Sequence, residues 1–63
     1  MQGVTPLHSA AHNGHAKLAR LLIDNGADVN TKTDKGQTPL QIARERNQSE
    51  TAAVLEEFGG TEG

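Results

Sequence analysis

Gly3-Val4-Thr5-Pro6-Leu7-His8-Ser9-Ala10-Ala11 returns thirty-three residues later as Gly36-Gln37-Thr38-Pro39-Leu40-Gln41-Ile42-Ala43-Arg44. Slid against itself at that spacing, the chain also places Ala19 on Ala52, Leu22 on Leu55 and Gly26 on Gly59. Eight of the 30 comparable positions are identical. Ordinary residue usage gives roughly two. Most of the identities fall on Gly, Pro and Ala, where backbone geometry or space is restrictive, so the chain reads as two copies of one structural unit.

Each copy opens with a helix start. In Thr38-Pro39-Leu40-Gln41 the threonine caps the N3 amide, proline occupies the first turn without losing a hydrogen bond, and glutamine reaches back to the cap. Thr5-Pro6-Leu7-His8 repeats this with histidine in the glutamine place. Leu7, Ala10 and Ala11 form an apolar stripe at i, i+3, i+4, as do Leu40 and Ala43 with Ile42 beside them. A second helix follows in each copy, with Leu18, Leu21 and Leu22 as one stripe and Ala52, Val54, Leu55 and Phe58 as the other. The expected helices are 6–13, 16–24, 39–46 and 49–58. Asn25-Gly26 and Gly59-Gly60 end helices through left-handed residues. Asp34-Lys35-Gly36 is a turn with glycine at positive φ, inside a polar, hairpin-like loop.

Composition bounds what such a chain can do. It has 63 residues, enough for one small domain, and no cysteine for a disulfide or a thiolate metal site. Six basic and eight acidic residues leave a net charge of −2 with no basic cluster, which argues against nucleic acid or an anionic membrane as partner. The longest run of large apolar residues, Leu21-Leu22-Ile23, is far short of a membrane span. An intracellular, cytoplasmic location is expected.

The pattern resembles the ankyrin repeat, a unit of two antiparallel helices and a projecting β-turn. The residues that carry the likeness are Gly3 to Ala11, Gly14-His15, Leu21-Leu22, Gly26-Ala27-Asp28-Val29-Asn30 and Gly36 to Leu40. The resemblance implies an all-α ankyrin-repeat solenoid, with repeat one at 2–33, repeat two at 34–60 and a short tail at 61–63. It also implies that His8 fixes a helix start and the neighbouring loop, and that no enzyme activity resides here. In such arrays the turn tips and the inner face of the first helices bind other proteins. The matching positions are Gln2 and Val4, then His12 and Asn13, then Asp34, Lys35, Gln37, Glu45 and Arg46. Two alternatives stand beside this protein-binding reading: a structural capping fragment or minimal folding unit, and an accessory segment of a larger enzyme.

Copy two departs from copy one in ways that suggest an end of an array. It has Asn47-Gln48 for Gly14-His15, Thr51 for Leu18, Glu56 for Ile23, and Arg44-Glu45-Arg46 for Ala11-His12-Asn13. A polar last face is what a terminal repeat needs. Arg44, Arg46 and Glu56 are therefore expected to guard the downstream side. Leu7, Ala10 and Leu18 are expected to lie open upstream, which implies a truncated chain, a C-terminal fragment, or an open end covered by a partner. A weak homodimer through the open face follows. His8 and His12 sit at i, i+4 with His15 close by, but no third ligand is evident, and neither metal nor cofactor is expected. Ser9 and Ser49 lack a nucleophile context, and Asp24, Asp28, Glu56 and Glu57 read as caps or solvated surface.

Overall fold

The threonine-proline starts and the apolar stripes produce four helices: α1 (Pro6–Asn13), α2 (Ala16–Asp24), α3 (Pro39–Glu45) and α4 (Ser49–Glu57). The structure is a computed structural model that describes residues 5–62. Among these residues there is no strand, and the fold is all-α. Helices α3 and α4 each stop one residue before the expected end, because Arg46 and Phe58 are the C-caps.

The two starts differ in one respect. Thr5 and His8 form a reciprocal capping box, with the His8 imidazole accepting from the Thr5 amide. Thr38 caps the Gln41 amide at 3.2 Å, but the Gln41 side chain does not return to the cap. It donates instead to Glu45 one turn on, and the Thr38 hydroxyl donates to the Thr61 carbonyl at 2.6 Å.

Left-handed residues close the helices. Gly14 ends α1 at φ 75, and a Cβ there would lie 2.4 Å from the Gln48 side-chain oxygen. The equivalent position after α3 is Asn47 at φ 59, a conformation that asparagine tolerates better than most side chains. Gln48 then reaches back across the repeat boundary and donates to the His12 carbonyl at 3.0 Å.

The helices form two layers. The first helices of each repeat, α1 and α3, pack side by side, and α2 packs on α4 in the same way. Leu7, Ala10, Ala11, Ala16, Ala19, Leu40, Ala43, Ala52, Val54 and Leu55 are the buried core. Alanines dominate because backbones only approach this closely where side chains are small. The 25–38 connection crosses from one repeat to the next and projects as a hairpin-like turn, with Thr33 N–H donating to Gln37 O and Gly36 N–H to Thr33 O.

Repeat two covers the downstream face of repeat one, and the far face of repeat two carries charges. Arg44 bridges Glu56 and Glu62, whose hydrogen bonds raise its guanidinium above its already high ordinary value. Thr61 N–H donates to Asn30 at 2.8 Å, so residues 61 and 62 are tied to the body. Arg46 is not part of this closure. It lies two residues from Arg44, on another side of α3, and reaches His12 of repeat one.

The upstream face also differs from the expectation. Leu7 and Ala10 are buried within repeat one, whereas Leu18 and Leu21 are 42% and 57% exposed. Their counterparts in repeat two, Thr51 and Val54, are 1% and 7% exposed. Thr51 therefore faces inward, on the α4 stripe that ends at Phe58, rather than toward a further repeat. Arg20 of α2 lies 5.5 Å over the Phe58 ring and pairs with Glu57 at 2.9 Å, which marks that stripe as the side packed on α2.

The Thr51 hydroxyl is buried without a hydrogen-bond partner. An unsatisfied buried polar atom carries its desolvation penalty uncompensated, and removing it while keeping the shape is favourable. Thr51→Val is therefore expected to stabilise the chain by about 1 kcal/mol. In a domain of this size that is a rise of roughly 4–8 °C in the melting temperature, read by circular dichroism.

Candidate functional site

The inner surface between the end of α1 and the end of α3 carries side chains of mixed chemistry. His12, Gln37, Ile42, Glu45 and Arg46 line one depression. His8, Ser9, His12, Asn13, Thr33, Gln37 and Ile42 line its neighbour. His12, Gln37 and Ile42 are common to both, so the two join into one shallow groove.

Repeat geometry positions each member. α1 ends at Gly14, which leaves His12 and Asn13 on the last exposed turn. The Asn13 amide donates to the Ser9 carbonyl at 3.0 Å and is held against its own helix. Gln37 is set by the hairpin, where its N–H donates to the Thr33 hydroxyl at 3.2 Å and its carbonyl receives the His8 ring.

His8 governs this placement. It is 2% exposed, and its Nδ1 accepts from the Thr5 amide at 3.1 Å. The other ring nitrogen therefore carries the proton and donates to the carbonyls of Thr31 at 2.9 Å and Gln37 at 3.1 Å. One buried ring thus ties the start of α1 to both sides of the projecting turn.

The charges in the groove are arranged unequally. Glu45 accepts from Gln37 at 3.5 Å and from Gln41 at 3.4 Å, so its carboxylate is partly satisfied within the protein. Arg46 donates to the His12 Nε2. An arginine only donates, so His12 accepts there and carries its proton on Nδ1. A neutral ring does not cancel the positive charge of Arg46. The groove therefore presents Arg46 as a cation beside Ile42, its one large aliphatic side chain, with the Glu45 carboxylate alongside.

Of the residues expected to bind a partner, the structure brings together His12, Asn13, Gln37, Glu45 and Arg46. Asp34 and Lys35 form the exposed turn tip, outside both depressions. Gln2 and Val4 lie outside the described residues. Ile42, His8, Ser9 and Thr33 line the groove outside the expected set. The sequence places Ile42 beside the core stripe, and the structure leaves it half-buried. Its counterpart in repeat one is Ser9, an exposed polar residue, and a position that alternates between serine and isoleucine is a surface signal.

The three histidines do not converge on a metal site. Both nitrogens of His8 are engaged by backbone, and the Nε2 of His12 is engaged by Arg46. Among the described residues no group of three or more His, Cys, Asp or Glu is placed to hold a metal ion. No helix among them is long and apolar enough to cross a membrane.

The family model for ankyrin repeats in many copies matches residues 2–43. The chain is 46% identical over 51 residues to the ARF GTPase-activating protein Git of Drosophila melanogaster, which covers 81% of this chain and 7% of that protein. It is 48% identical over 43 residues to ankyrin repeat and SOCS box protein 11 of Danio rerio, covering 68% of this chain and 15% of that one. It is 44% identical over 45 residues to alpha-latrocrustotoxin-Lt1a of Latrodectus tredecimguttatus, covering 71% and 3%. The chain thus spans a small fraction of the length of these relatives, and they share with it only a repeat segment. A matched span that includes both threonine-proline helix starts, together with the paired-helix architecture, places this chain in the ankyrin-repeat family.

Proposed function

We propose that the chain recognises another protein through the groove of His12, Asn13, Gln37, Ile42, Glu45 and Arg46, with Asp34 and Lys35 at the turn tip and Gln2 and Val4 extending the surface. It acts by binding rather than catalysis, in an intracellular setting and without a cofactor. Ankyrin repeats are in general protein-interaction modules, and the observation that supports this reading here is the positive charge of Arg46 beside the half-buried Ile42. A segment of a protein with a carboxylate next to an aliphatic side chain fits that pair. An interface of standard size needs about 800 Å² from each partner, and two repeats supply little more than that, so affinity for a single segment is modest.

A second reading is favoured by the small share of each relative that the chain spans. The two repeats then serve as a recognition segment, or as the capping end, of a longer protein. In either setting the exposed upstream face of α2 is an association surface, and in the 63-residue chain it pairs weakly with a second copy.

Selection of a displayed random-peptide library on the immobilised chain tests the groove. Enriched peptides are expected to carry Asp or Glu beside Leu, Ile or Val. Arg46→Glu should weaken them about tenfold or more, as loss of a charged hydrogen-bonding partner does. Leu21→Glu, on the other side of the molecule, should leave them bound. Peptides that keep full affinity for Arg46→Glu exclude the groove as the binding site.

A further inference from the structure

The charges on α2 stand the wrong way round for an isolated helix. Its N-terminal turn carries Lys17 and no acidic residue, and its last turn carries Asp24 and no basic one. The helix dipole favours the reverse, with acid at the N-terminus and base at the C-terminus. Between these two charges lie Leu18, Leu21 and Leu22, of which Leu18 and Leu21 are the exposed large hydrophobics among the described residues. Lys17, Leu21 and Asp24 are spaced i, i+4, i+7 and share one side of the helix. Arg20 pairs with Glu57 and lies over Phe58, and it also feels the charge of Asp24 one turn on, which leaves Lys17 as the basic group on this side without a partner on its own helix.

We infer that the 63-residue chain forms a homodimer in which α2 packs antiparallel on α2 of a second copy, each Lys17 facing the partner's Asp24. The inference rests on the self-association proposed above and specifies its orientation. A twofold axis near the middle of α2 brings the leucines of both copies together and corrects both helix ends at once. The partner's Asp24 lies at the positive end of α2 and the partner's Lys17 at the negative end. A parallel arrangement places lysine on lysine and aspartate on aspartate. Head-to-tail stacking meets the Arg44, Glu56 and Glu62 network at the downstream end, where two leucines find no apolar surface. The contact is therefore isologous and closes at two copies. One side of a body measuring 27 × 25 × 19 Å offers on the order of 500–700 Å², below the usual share for a stable complex. Weak association, with Kd between about 10 µM and 1 mM, is the consequence.

Sedimentation equilibrium on the whole chain, from about 10 µM to 2 mM, reads this directly against the Kd range just given. The wild type should show a monomer–dimer equilibrium, and Leu21→Glu should be monomeric throughout with unchanged helicity. Lys17→Asp and Asp24→Lys should each weaken the dimer about tenfold, and the double swap should restore it, because only the antiparallel arrangement re-pairs both charges. Each single swap suits the helix dipole, and thermal melts check that lost association does not come from unfolding. A wild type that stays monomeric at the highest concentration overturns self-association altogether. A dimer abolished by Leu21→Glu but indifferent to the charge swaps overturns the antiparallel arrangement alone. If the wild type is a monomer that a further repeat fused before Gln2 makes markedly more stable, the face belongs to stacking in a longer array.

Discussion

His8→Ala is expected to leave most of the chain unfolded at 25 °C. The substitution removes a buried ring and strips partners from the Thr5 amide and the Thr31 and Gln37 carbonyls. Lost hydrogen bonds to buried backbone and the residual cavity together cost about 3–5 kcal/mol. A single core of fewer than 70–80 residues supplies about that much in total. His8→Gln supplies the comparison. Repeat two uses glutamine at the equivalent position, and a glutamine oxygen can accept from the cap amide as Nδ1 does. It cannot span to both turn carbonyls, so its stability should fall between wild type and His8→Ala. Urea titration followed by circular dichroism measures the order. Equal stability of all three would show that the ring does not tie the turn to α1.

Leu55→Ala should cost about 2–5 kcal/mol, the range for a fully buried leucine. Leu55 is 0% exposed, in the centre of the core. Leu22 is its counterpart thirty-three residues earlier, yet it is only half-buried. Leu22→Ala should therefore cost clearly less, although residue type, helix position and repeat position are the same. The comparison isolates the neighbour as the source of stability, which is the energetic logic of a solenoid. Equal losses at the two positions would contradict the view that repeat two is the better-covered unit.

The helix starts were legible because Thr-Pro couples a side-chain cap to a fixed φ, a local effect that needs no tertiary context. Gly26, Gly59 and the Asp34-Lys35-Gly36 turn were legible for the same reason. What periodicity could not assign was which apolar residues remain open. A repeat helix has one apolar side for its own partner helix and another for the next repeat, and both look alike along the chain. Leu18 and Leu7 therefore seemed equivalent, although one is exposed and the other buried. Thr51 shows the converse, a polar residue drawn inward because its position in the repeat faces the preceding unit. The separation of Arg44 from Arg46 was within reach of sequence reasoning. Residues two apart on a helix point roughly 200° from each other, so the pair cannot guard one face. The groove's aliphatic seat, Ile42, was hidden among core residues and emerged only from its partial exposure.

The most direct test of the binding account is a titration of isotopically labelled chain with a peptide selected on it, followed by amide chemical shifts in two-dimensional NMR. The largest changes are expected at His12, Asn13, Gln37, Ile42, Glu45 and Arg46, with Leu18, Leu21, Ala53 and Glu56 unmoved. Changes centred on Leu18 and Leu21, or on the Arg44–Glu56 face, with the groove silent, would contradict it.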